Sequence, residues 1–193
     1  MGDGETDFIV YRIDPRQGRF VVQAFAEGLF SSFGHNPTIA IPDFSGEIRL
    51  KPGQLETASL KLIVKADSLR VADQVSDKDR REIERMMHDE VLETSRYPEI
   101  IFQSSVVSAE KVFEGMYRVK IKGEMTLHQV TRGHLIEGQV TLSNEVLRAQ
   151  GETRLRQSEY GIKKVSVAGG TLKVKDEVKL SFDIVARKIS LEV

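Results

Sequence analysis

The stretch YRVKIKGEMTLHQVTRGHLIEGQVTL, from Tyr117 to Leu142, decides how the rest of the chain is read. In its first half Tyr117, Val119, Ile121, Gly123, Met125 and Leu127 alternate without a break against Arg118, Lys120, Lys122, Glu124 and Thr126. Period two places the first set on one face of a β-strand and the charged set on the other. One face packs and the other stands in water, as in an antiparallel sheet. Beyond His128-Gln129 and Thr131-Arg132-Gly133, apolar residues resume at Leu135, Ile136, Val140 and Leu142, so a long hairpin is expected.

The same alternation recurs on both sides. Ile9, Tyr11 and Ile13 share a face before Asp14-Pro15, Phe20 to Phe25 resumes as a strand, and Phe44, Ile48 and Leu50 share a face after a bend at Pro42-Asp43. Leu60, Leu62 and Val64 alternate with Lys61 and Lys65. Leu147, Ala149, Gly151, Thr153 and Leu155 form another set whose small members suit a tight, curved place, and Val178, Leu180, Phe182, Ile184 and Ala186 close the pattern. Only between Ser76 and Leu92 does the period change. There Ile83, Met86, Met87, Val91 and Leu92 fall at helical spacing, with Ser76 as cap and Asp77 and Asp79 at the positive end. Tyr97-Pro98 ends that region.

Some eight alternating strands and one inserted helix predict an all-β, antiparallel barrel, with a sandwich as the runner-up. Residues 8–188 are expected to form a single domain between short tails at 1–7 and 189–193. The 193 residues carry 28 Lys and Arg against 29 Asp and Glu, a formal net charge of -1, so no global field draws nucleic acid. There is no cysteine, which excludes disulfides, thiolate metal sites and a cysteine nucleophile. No run approaches the ~18 consecutive apolar residues of a membrane helix, and no secretory leader is visible. A cytoplasmic location is expected, or a periplasmic one if a leader preceded Met1.

Catalytic signatures are missing: there is no nucleophile elbow, phosphate-cradling loop or zinc-protease helix. His35, His88, His128 and His134 show no paired-ligand spacing, and His128 and His134 read as two exposed histidines flanking a hairpin tip. No catalytic residue, metal ligand or cofactor is therefore assigned. More suggestive are Phe30 and Phe33, inside a loop-forming segment that reads as a lip, together with Phe44 and the adaptable Met86, Met87 and Met125.

Several motifs follow one another in a set order. They are Ala66-Asp67-Ser68-Leu69, Asp79-Arg80, Tyr97-Pro98-Glu99-Ile100-Ile101-Phe102-Gln103-Ser104, the run from Gly123 to Arg132, and Tyr160-Gly161-Ile162. In that order, over nearly the whole chain, they resemble the YceI-like family, the lipocalin-like polyisoprenoid-binding proteins. The resemblance implies a lipocalin-like barrel enclosing a long apolar pore for a polyisoprenoid, isoprenoid quinone or fatty-acid derivative, and a binder or carrier in place of an enzyme. Besides the six apolar side chains above, Leu60, Leu62, Phe102, Val119, Ile121, Leu127 and Phe182 are then expected to line it, with His35, Arg132 and Tyr160 at its mouth. Burying twenty methylene equivalents is worth a gross ~16 kcal/mol at about 0.8 kcal/mol each. The tail would dominate affinity and a polar head would orient it. A lipid-modifying isomerase or cyclase and a filled barrel serving as an interaction module stay open as alternatives, as does a homodimer. Gly123, on the inward face, is the expected place to block such a pore with a bulky side chain without unfolding the barrel.

Overall fold

A computed structural model describes residues 8–27, 36–163, 166–167 and 172–189. In chain order its strands are β1 (Ile9–Ile13), β2 (Arg19–Gln23), β3 (Ala26–Glu27), β4 (Thr38–Ala40), β5 (Phe44–Lys51), β6 (Gln54–Lys65) and β7 (Arg70–Val71). Helix α1 (Asp77–Met86) follows, and then β8 (Glu99–Phe113), β9 (Met116–Leu127), β10 (Val130–Leu142), β11 (Val146–Arg156), β12 (Ser166–Val167), β13 (Leu172–Val174) and β14 (Glu177–Lys188). The lip segment expected around Phe30, Phe33 and His35 lies outside the described residues.

Eight of these strands pair antiparallel in the order β1-β5-β6-β8-β9-β10-β11-β14, and β14 returns to β1 to close the ring. Closure removes the sheet edges that would otherwise expose unpaired backbone. On one side the wall is jointed. Strand β1 continues as β2 after a single 3-10 turn at Pro15–Gln17, β4 continues as β5 across Pro42-Asp43, and β6 continues as β7 across Ala66–Ser68. These three interrupted strands are neighbours, because β2 pairs with β4 and β4 with β7. A concavity of about 430 Å³ lies over the breaks, lined by Pro15, Gly18, Phe20, Ile41 and Pro42 among others. A second small sheet joins β12, β13 and β3.

Tight curvature needs close backbone approach, and glycine supplies it on the inner face. A Cβ at Gly123 would stand 2.3 Å from the Gln103 carbonyl oxygen and 2.7 Å from the Phe102 ring. At Gly151 it would stand 2.5 Å from the Glu137 carbonyl oxygen and 2.6 Å from the Phe182 ring. Phe102 and Phe182 thus lie over the glycines that let the wall bend. This corrects the expectation for Gly123: its place is filled by the neighbouring strand, so a bulky side chain there would meet backbone before it reached the interior.

Helix α1 starts where the sequence places it, with the Ser76 hydroxyl accepting from the Asp79 N–H at 3.1 Å. It runs into a single π-helical stretch at Met87–Val91. Its polar face is tied to the end of the jointed wall. The Val71 N–H donates to Glu84 at 2.9 Å, while Arg80 donates to the Val71 and Asp73 carbonyls. The helix thereby supplies hydrogen-bond partners to a strand that has β4 on one side only. Of the expected stripe, Ile83, Met87, Val91 and Leu92 pack against the core, whereas Met86 does not join it.

Candidate functional site

The ends of the barrel differ. At one end β5–β6, β8–β9 and β10–β11 are joined by short turns, and the inward side chains Tyr11, Leu50, Leu147 and Ala186 are all at most 2% exposed. There the Tyr11 hydroxyl donates to the Ser143 carbonyl at 3.3 Å. The other end carries α1, the β9–β10 hairpin tip and the connections holding the small sheet. Its inward Phe44, Val64, Met125 and Leu127 are also buried.

Between the ends burial is incomplete. Leu60, Leu62, Ile121, Ile136 and Phe182 are half-buried although the pleat turns them to the same face as the core. Leu60 and Leu62 sit opposite Ile48 and Gly46, Ile121 opposite Ile136, and Phe182 opposite Gly151 and Phe20. An inward side chain that stays accessible borders space that protein atoms leave free. Of the expected apolar lining, Leu60, Leu62, Ile121 and Phe182 stand in this belt. Phe44, Phe102, Val119, Met125 and Leu127 are instead buried in the packed core, and Met87 lies on the helix against it. Phe30 and Phe33 fall outside the described residues.

One polar side chain shares the belt. His134 is paired with Gly123 across β9–β10 and so faces inward, which overturns its reading as an exposed turn histidine. Its Nε2 lies 2.9 Å from Thr153 Oγ1, and that hydroxyl donates its one proton to the Leu135 carbonyl at 3.2 Å. With that proton on the Leu135 carbonyl, Nε2 carries a hydrogen and donates it to Thr153. Burial holds the imidazole below its ordinary pKa, with Glu159 opposing weakly, so near neutral pH the ring is uncharged and its Nδ1 is an acceptor. No described residue hydrogen-bonds Nδ1, and it is not among the buried unpartnered atoms, so solvent reaches it. The sequence signal was available: counting by twos from Val140 puts Gly138, Ile136 and His134 on one face.

The expected mouth residues separate. Arg132 is exposed and its Nε donates to the Glu159 carbonyl at 3.2 Å, holding the 3-10 turn Gln157–Tyr160 against β10. Tyr160 is 1% exposed within the core, and burial, aided by Glu159, raises its pKa. His35 lies outside the described residues. His128 is not an exposed turn histidine either. Its side chain is 14% accessible, with Nε2 2.9 Å from Glu93 and its ring 4.1 Å from that of Tyr97.

A YceI-like domain model matches residues 11–186. The chain belongs to the YceI-like family. No protein of curated function matches it in sequence. Among solved structures it is similar to BcnA of Burkholderia cenocepacia, with a TM-score of 0.68 and 13% identity over 90% of this chain and 98% of that one. A polyisoprenoid binding domain from Saccharophagus degradans, implicated in plant cell wall breakdown, gives 0.67 and 14% over 93% and 98%. The YCEI protein of Campylobacter jejuni gives 0.57 and 14% over 79% and 85%. At such identities the likeness is one of fold, and the YceI-like barrel is the fold found here. Among the described residues no helix is long and apolar enough to cross a membrane.

Proposed function

We propose that this YceI-like barrel binds a long apolar ligand, such as a polyisoprenoid, isoprenoid quinone or fatty-acid derivative, in its interior and without covalent chemistry. The observation that carries the reading is the belt of inward, half-buried apolar side chains, Leu60, Leu62, Ile121, Ile136 and Phe182. A wholly filled barrel would bury them like Leu50 or Leu147. Binding a polyisoprenoid is what the Saccharophagus degradans domain of the same fold is named for, which supports the same ligand class here. Affinity would come from the tail, offset by the cost of freezing it.

The test is mass spectrometry of an organic extract from gently purified protein beside a mock purification. One apolar species near equimolar occupancy is the expected result. An empty extract, together with no uptake of added prenyl lipids by folded protein, would reject the reading in favour of a filled interaction module.

A further inference from the structure

We propose that His134, held in one tautomer by Thr153, is a hydrogen-bond acceptor on the inner wall that selects long apolar ligands ending in a neutral hydroxyl, such as prenyl alcohols or hydroquinones. The inference rests on the binding reading above and narrows it.

The argument begins with what the wall offers. Most side chains of the half-buried belt are hydrocarbon, and hydrocarbon does not distinguish one head group from another. Two other inward polar groups are already engaged. Ser104 Oγ accepts from the Leu60 N–H at 2.7 Å, and the Tyr11 hydroxyl is spent on Ser143 at the short-turn end. The imidazole differs in being half satisfied. Thr153 takes its Nε2 hydrogen, so the accessible Nδ1 presents a lone pair with nothing among the described residues to fill it. Gly123, directly across the strand pair, has the Phe102 ring lying over it, so the neighbour on that side is hydrocarbon.

The lone pair dictates the partner. A hydroxyl donates to it. An ether or quinone carbonyl brings only further lone pairs, and a carboxylate or phosphate brings negative charge to an uncharged ring. The nearest cation on the same strand face, Arg132, is exposed and turned to the Glu159 carbonyl. A hydroxyl left unpaired in a wall otherwise apolar is penalised, so discrimination comes from the mismatch as well as from the bond.

The test compares geranylgeraniol with its methyl ether by competition against an apolar fluorophore bound to the full chain. Wild-type protein is expected to favour the alcohol about five- to tenfold, the scale of one hydrogen bond. His134→Phe keeps a planar ring without an acceptor and is expected to bind both probes equally. Thr153→Val frees the tautomer and is expected to lose most of the preference. Equal binding of the two probes by wild type, or a preference that persists in His134→Phe, overturns the proposal while leaving the binding reading intact. Neither probe binding to folded wild type overturns both. Should His134→Phe fail to fold, Thr153→Val decides alone: loss of preference supports the assignment and full retention overturns it.

Discussion

The imidazole of His128 stands 2.9 Å from the carboxylate of Glu93, and both residues hold positive φ, at 54° and 44°. Gln129 follows at 60°, so the two-residue loop between Leu127 and Val130 has both members in the left-handed region, as a type I′ hairpin requires. Neither is the Asn or Gly that such a turn prefers. The Glu93 contact and the Tyr97 ring hold His128 there, whereas Gln129 is exposed. Gln129→Gly is expected to stabilise the protein by about 1 kcal/mol, the left-handed penalty less the added freedom of the unfolded chain. Urea denaturation checks it, and no gain would mean that the loop relaxes in solution.

Gly123→Ala is expected to destabilise by roughly 1 to 3 kcal/mol, because the new methyl would meet strand β8 backbone, which cannot swing aside as a side chain can. The same denaturation measurement reads it. A neutral result would contradict the packing of Phe102 over this position.

Glu84→Ala leaves the Val71 N–H without its acceptor, a loss of roughly 1 to 3 kcal/mol if water stays out. Amide exchange at Val71 should accelerate far more than at Val119, deep in the unbroken wall.

His134 makes stability depend on pH in a defined direction. Its folded pKa lies below the ordinary 6.5, so between the two values the unfolded chain binds more protons. Stability therefore rises with pH through that window and is lost on acidification below about 6.5. His134→Phe should flatten thermal melts there. The lowered carboxylates of Glu152 and Asp183 act at lower pH, their contribution falling as acid protonates them, and serve as an internal control.

Ile121→Trp, in the half-buried belt, is expected to cut uptake of prenyl lipids at least tenfold while the fold is kept. Fluorophore titration and circular dichroism read the two effects, and undiminished uptake by a folded variant would place the ligand elsewhere.

The strands were legible in the sequence wherever one face met water, since alternation from Tyr117 to Leu127 or Val178 to Ala186 leaves no other period. The cap at Ser76 and the curvature at Gly151 could be read for the same local reasons. Two things could not. The half-burial of Ile121 and Phe182 depends on the barrel's girth, which no strand encodes alone. Met86 and Met87 carry the same chemistry one position apart, and only docking separates them. His134 was misread because its nearness in sequence to the hairpin tip outweighed the parity that turns it inward.

The broken strands have a mechanical consequence. Strands β8 to β11 run 11 to 15 residues without interruption, whereas β1/β2, β4/β5 and β6/β7 each change direction at the same level of the wall. The β8–β9 ladder shifts register twice yet its strands run on through both shifts, so the barrel has a continuous spine and a jointed flank. Helix α1 is fastened to the far end of that flank through Val71, so the joints lie between the helix and the continuous strands.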